Sequence, residues 1–178
     1  DLDTRGSRYA PVPSSELRDT AADAWLLGHI HTPSIQIDSQ PLTVYAGSPQ
    51  PLDPGEQATH GPWTVTIPET GDIHAEQVPL ASVRYDQLSV DVSEVLNAKE
   101  ATAVISDEIK QHVRSEFETR PLELCLVRLQ LTGRTEAHST LLNQHRAMAR
   151  NLGFREGSVS VRIESIEVAT QPAINLED

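Results

Sequence analysis

The sequence predicts a mixed α+β fold in two parts: short strands without helices over residues 1–83, then a small β-α-β-α-β domain over residues 84–178. Two observations predict it. The first part is rich in Pro, Gly, Ser and Thr, with brief apolar runs separated by turn residues. The second alternates period-two apolar runs with two long stretches of helical periodicity. At 178 residues and 38% hydrophobic content the chain can bury a core, and with aromatics at 4% aliphatic side chains must fill it.

The elements follow in order. "AWLLG" (24–28) reads as a buried strand, and "SIQI" (34–37) with "LTVYAG" (42–47) as a strand pair. "PWTVTI" (62–67) and "DIHAEQV" (72–78) form a hairpin across the turn residues of "PETG". Between the pairs, "SPQPLDPGEQATHG" (48–61) has three prolines and no periodicity, so it is a long loop, and such loops often carry function. In the second part "LSVDV" alternates Leu88, Val90 and Val92. Asn97 with Glu100 has the spacing of a capping box, and Ala101, Val104, Ile105, Ile109, Val113 and Phe117 mark one helix face. "PLELCLVRLQL" (121–131) is the next strand; its apolar positions change phase between Leu126 and Val127, which predicts a middle buried on both faces. A second helix is expected from Ala137 to Leu152, with Leu141, Leu142, Met148 and Leu152 inward and Gly153 ending it. In the last strand Val159, Val161 and Ile163 alternate before the pattern slips to Ile166 and Val168, which requires a bulge at Glu164 or Ser165.

Charge and cysteine usage narrow the function. Net charge is −12, which by itself argues against nucleic-acid binding. Its distribution is uneven: residues 1–83 carry 11 acidic and 3 basic groups, whereas within 128–162 Arg128, Arg134, Arg146, Arg150, Arg155 and Arg162 face only Glu136 and Glu156. The single cysteine, Cys125, excludes an internal disulfide and suits a reducing, cytoplasmic setting. It lies mid-strand between leucines, which reads as a buried, inert thiol. No apolar stretch is long enough to span a membrane. The leading "DLDTRGSRYAPVPSSELRD" begins with Asp1 and has no signal-peptide core, so the chain is expected to start mid-protein or after processing.

The chemistry-bearing motif is "LLGHIHTP" (26–33). His29 and His31 follow a strand and precede Pro33; on extended backbone, residues two apart point the same way, so the two imidazoles can serve two neighbouring metal ions. Gly28 would let the backbone approach such a site closely. His74, on a hairpin strand, reads as a surface residue, and His112 and His145 as partly exposed members of helix faces.

"DAWLLGHIHTP", then "VYAGSPQ" and "DPGEQATHGPWTVTI", resembles the final motif region of calcineurin-like metallophosphoesterases, above all the SbcD-type DNA double-strand-break repair exonucleases. Upstream, "RYAPVPSSELR" is similar to that family's "YAPCSLDEL" segment; downstream, "RPLELCLVRLQLTGRTEAH" is similar to the strand and "LTGRTPLH" turn of its capping domain. The resemblance implies that residues 1–83 are the C-terminal part of a nuclease domain, strands of an incomplete metallophosphoesterase β-sandwich, and that 84–178 are a capping, DNA-binding domain. It implies that His29 and His31 each ligate one ion of a two-manganese centre. The family's remaining ligands lie upstream, in D-x-H, G-D, G-N-H-[DE] and one further His motif, none of which precedes His29 in this sequence. The family often has Lys or Arg in the loop after its "GNPQ"; here that loop carries Leu52, Asp53, Glu56 and His60.

Three functions compete on this reading. The first is the C-terminal portion of a metal-dependent DNA repair exonuclease, inactive alone. Its partners would be DNA, an SbcC-like SMC-type ATPase, the remaining N-terminal part of the nuclease domain and a second copy of the chain. The second is a metallophosphoesterase acting on another phosphodiester, and the third a non-catalytic module docking DNA or the ATPase. Arg134 and Thr135 of the "TGRT" turn, with Arg128, are the candidate contacts to the phosphate backbone.

Overall fold

The computed structural model describes residues 12–36, 40–57, 59–117 and 122–174, and the chain is an α+β protein of two compact units. Ile37, the side chain of Phe117, Pro121 and the first four residues (8–11) of the "RYAPVPSSELR" segment lie outside the described residues.

The first unit takes in residues up to 52 and 58–81. It opens with a short helix, α1 (Ser14–Arg18), that the sequence pattern did not announce. Strands β1 (Ala24–Leu27), β2 (Ser34–Gln36) and β3 (Leu42–Tyr45) form a sheet in the order β1-β3-β2, with β3 parallel to β1 and antiparallel to β2. As the central strand, β3 buries Leu42, Thr43 and Val44 in succession, which only a strand covered on both faces can do. The Thr43 hydroxyl donates to the Pro41 carbonyl at 3.2 Å, so its burial leaves no unpaired donor. Strands β4 (Trp63–Thr66) and β5 (His74–Gln77) make the expected antiparallel hairpin. Leu26 of β1 and Ile67 after β4 stay exposed, at 60% and 75%.

The second unit takes in 53–57 and residues from 82 onward. In chain order it holds β6 (Val83–Asp91), α2 (Ala98–Phe117), β7 (Leu124–Thr132), β8 (Arg134–Thr135), α3 (His138–Asn151), β9 (Phe154–Glu156), β10 (Val159–Val168) and β11 (Gln171–Pro172). The main sheet runs β6-β7-β10-β9, parallel except for the edge strand β9; β8 and β11 form a separate parallel pair. Both β-α-β crossovers step in the same direction along the sheet, so their common handedness places both helices on one face. One buried cluster accordingly joins Ala101, Ile105, Ile109 and Val113 of α2, Leu141 and Met148 of α3, and Cys125, Val127, Leu129 and Leu131 of β7.

Helix α2 starts where the capping box requires. Asn97 Oδ1 accepts from the backbone N–H of Lys99 and Glu100 at 3.1 and 3.0 Å. The Glu100 carboxylate reaches back one residue beyond the cap, accepting from Leu96 N–H at 2.9 Å and from the Asn97 side chain at 2.7 Å. The bulge in β10 also lies where the slip in pattern places it, the register against β7 shifting between Ile163 and Ser165.

Two expectations are corrected. β7 does not change phase: Cys125, Val127, Leu129 and Leu131 alternate without interruption on the helix side, and Leu124 and Leu126 are half-buried on the other. Leu142 is not inward; at 46% exposure it lies one step round α3 from the buried Leu141.

Candidate metal-bearing turn

Strand β1 delivers the chain to Gly28, and the chain then turns sharply. The N–H of Ile30 donates to the Gly28 carbonyl at 3.0 Å, and His29 between them has φ +74°. An i-to-i+2 bond around a residue of positive φ is a γ-turn of the strained kind, rare for a residue with a Cβ. The extended backbone expected between His29 and His31 is therefore absent, and the γ-turn sets their relative direction instead. Both histidines are exposed. Gly28 is not the close approach either, since no described atom lies within 4 Å of a Cβ placed there.

The close approach comes from the "YAGSPQ" turn. The Ala46 N–H donates to the Leu27 carbonyl at 3.1 Å, and the Ser48 N–H to the His31 carbonyl at 2.9 Å. Gly47 between them has φ +73°, and a Cβ there would stand 2.8 Å from the His31 oxygen and from Pro33. The turn is held from its other side as well. Trp63 Nε1 donates to the Ala46 carbonyl at 2.9 Å, and His60 Nδ1 lies 2.8 Å from the Ser48 carbonyl oxygen. The H-x-H segment is thus fixed at Leu27 and His31, on either side of the strained residue. Of these supports the sequence offered only the "YAGSPQ" string; nothing in it marks Trp63 as a donor to that turn.

The donor set can be tested against a metal. Two exposed imidazoles on a braced turn fit as part of a metal centre, and strain of this kind persists only where the surroundings over-determine it. They are insufficient alone, since among the described residues no group of three or more His, Cys, Asp or Glu side chains could hold an ion.

The second unit contains a buried polar cluster that the sequence reading missed. Asp86 of β6 is 7% exposed. Its carboxylate accepts from Arg84 Nε at 2.7 Å and from the Cys125 thiol at 3.6 Å, and lies 3.0 Å from His112 Nε2. Burial raises the Asp86 carboxyl's proton affinity, but the His112 hydrogen bond and the Arg84 charge outweigh it and hold the group below the usual carboxylate range. Burial and then the Asp86 charge push the Cys125 thiol well above its ordinary value, in keeping with an inert cysteine. His112, expected as a partly exposed helix residue, ties α2 to β6. His74 is exposed.

The candidate DNA contacts are not brought together as one gripping surface. Arg134 is exposed, and its Nη1 donates to the Pro172 carbonyl at 3.3 Å. Arg128 is paired with Glu164, across from it on β10. Thr135 is 1% exposed; its hydroxyl donates to the Val95 carbonyl and accepts from the Ala137 N–H. That hydroxyl is committed inside the fold and does not present itself to a phosphate. Gly133, at φ +97°, packs so closely that a Cβ would overlap the Ser93 hydroxyl and the Asp91 carboxylate. Hydrogen bonds from the Ser93 side chain and backbone keep Asp91 below the usual carboxylate range, so a negative charge stands beside the turn at neutral pH.

Among the described residues no helix is long and apolar enough to cross a membrane. Residues 85–171 match the family model described as metallophosphoesterase YhaO, middle domain. An uncharacterized metallophosphoesterase YhaO of Bacillus subtilis (strain 168) is 28% identical over 99 residues, covering 56% of this chain. The chain spans about a quarter of that relative's length, 24%. No solved structure matches. The second unit is thus similar to the middle domain of a YhaO-type metallophosphoesterase.

Proposed function

We propose that this chain is part of a metal-dependent nuclease of the SbcD type, in which His29 and His31 each hold one of two divalent ions, Mn²⁺ by preference. The observation that carries the reading is the γ-turn at His29, braced at Leu27 and His31 by the 46–48 turn. A metal pair supplies Lewis-acid polarisation of a phosphoryl oxygen and activation of water. The chain's own part is to present two imidazoles at a fixed separation. The second unit, with Arg134 exposed at its turn, would guide DNA toward the centre and dock an SMC-type ATPase.

A second reading is metallophosphoesterase activity on a smaller phosphodiester, favoured by the buried Thr135, the Glu164-paired Arg128 and the Asp91 charge, which count against two of the three candidate phosphate contacts and oppose the third. One experiment addresses both. In a protein carrying the upstream D-x-H and G-N-H-[DE] motifs, Mn²⁺ affinity and hydrolysis of linear duplex DNA and of a small chromogenic phosphodiester are measured with and without His31→Ala. The nuclease reading expects tight Mn²⁺ binding and DNA cleavage, both lost in the variant. Cleavage of the small ester alone selects the second reading; unchanged metal binding in His31→Ala removes the ligand assignment. The 178-residue chain by itself should bind Mn²⁺ poorly, because two imidazoles leave most coordination positions open and suit Zn²⁺ or Ni²⁺ better.

A further inference from the structure

The bracing of the histidine turn reaches one residue beyond the motif that carries it. His60 is 1% exposed and directs Nδ1 at Ser48, 2.8 Å from its carbonyl oxygen and 3.1 Å from its hydroxyl. Its own backbone is fixed, since its carbonyl accepts from the Ala81 N–H at 3.3 Å, and the neighbouring Pro62 carbonyl accepts from the Val78 N–H at 2.8 Å. A continuous chain of hydrogen bonds therefore runs from the segment after β5, through His60 and Ser48, to the carbonyl of His31.

Stability accounts for only one of the two ring nitrogens of this imidazole. With Nδ1–H donating to the Ser48 carbonyl, Nε2 is a buried acceptor with no hydrogen-bond partner among the described residues. A buried polar atom left unpaired costs free energy, and an apolar side chain of similar size would avoid that cost. What an apolar side chain lacks is a donor at the Nδ1 position, which holds the carbonyl of the Ser48–Pro49 peptide. On the other side of the Ser48 Cα, the Gly47–Ser48 peptide carries the N–H that holds His31.

We propose that His60 is a positioning residue for metal binding: through Ser48 it fixes the His31 backbone, and with it the strained turn that carries the two imidazoles. The proposal rests on His29 and His31 being ligands. Outer residues that orient ligands in this way typically contribute 10–100-fold to metal affinity.

The test uses the protein carrying the upstream metal motifs, titrated with Mn²⁺ alone and followed by the electron paramagnetic resonance signal of free Mn²⁺. Four variants are compared: His60→Leu, His60→Asn, His60→Gln and His31→Ala. The Asn amide can place its N–H where Nδ1 stands, whereas that of Gln projects toward Nε2. The expected result is about a 10–100-fold loss of affinity in the Leu and Gln variants, recovery of most of it in Asn, and a metal-free melting temperature for Leu no lower than that of Asn. The loss in His31→Ala should exceed all three. Wild-type affinity in His60→Leu, with affinity lost in His31→Ala, overturns the positioning role and leaves the ligand assignment standing. Unchanged affinity in His31→Ala overturns the ligand assignment itself. If the Leu variant does not fold, the Asn–Gln contrast decides, and equal affinities for the two overturn the proposal.

Discussion

Ser48 donates its backbone N–H to the carbonyl oxygen of His31 at 2.9 Å, and this bond joins two stretches that look unrelated in the sequence. One is the end of the H-x-H motif; the other is the middle of "YAGSPQ". Their closeness depends on Gly47, whose missing Cβ leaves room for the His31 oxygen and for Pro33.

Gly47→Ala should accordingly disturb the histidine turn. At φ +73° an alanine carries a backbone penalty, and its Cβ would stand 2.8 Å from the His31 oxygen and the Pro33 ring. The expected loss is about 1–3 kcal/mol of stability in the first unit. Both tryptophans of the sequence, Trp25 and Trp63, lie in that unit, and Trp63 bonds the same turn, so urea unfolding followed by tryptophan emission reports it. An unchanged urea midpoint would mean that the 28–33 segment yields freely.

Acid should unfold the second unit through Asp86. The folded carboxyl has the lower proton affinity, so its contribution is complete above the unfolded-state value near pH 3.8 and is lost as pH falls through the depressed folded value. Asp86→Asn removes the contribution at neutral pH and should flatten stability against pH on the acid side. Asp86→Ala, which removes this carboxylate from the half-buried Arg84, should cost about 1–3 kcal/mol. Helix ellipticity from α2 and α3 is the measure, and an acid limb as steep in the Asn variant as in wild type would exclude Asp86 as its source.

Local chemistry made much of the second unit legible. The Asn97–Glu100 cap and the 101–105–109–113 face are determined within one helix, and the slip at Glu164 shows in the alternation itself. The failures lie where a distant element decides. Leu124 and Leu126 made β7 look buried on both faces because periodicity cannot say which face the helices will cover. At His29, the sign of φ is set by bonds from residues about twenty positions away. Thr135 reads as an available hydroxyl in "TGRT"; only the approach of Val95 reveals it as a buried one.

Thr135 should consequently matter for folding and not for phosphate. Thr135→Val keeps the shape but strands the Val95 carbonyl and the Ala137 N–H, each worth about 1–3 kcal/mol when buried and unpaired. A lower helix melting temperature with no change in the salt dependence of DNA binding is expected. A weaker DNA complex at full stability would return the hydroxyl to the list of contacts.

Arg134 is the cation at the same turn that remains exposed, and it separates the DNA reading from its rivals. Against it stand the net charge of −12 and the Asp91 carboxylate beside Gly133. Screening confines such repulsion to roughly 8–10 Å at ordinary salt, so the outcome depends on the immediate surroundings of the turn and little on the total charge. Each duplex phosphate neutralised contributes about −0.9 to the slope of log affinity against log salt. In the intact protein Arg134→Ala should therefore weaken DNA binding about equally across sequences and make the slope shallower by about one unit. Asp91→Asn, which removes the opposing charge, should tighten binding with no loss of slope. If Arg134→Ala changes neither affinity nor slope, the arginine is a solvated residue or a contact to the proposed SMC-type ATPase, and a pull-down of that variant with such an ATPase separates those two roles.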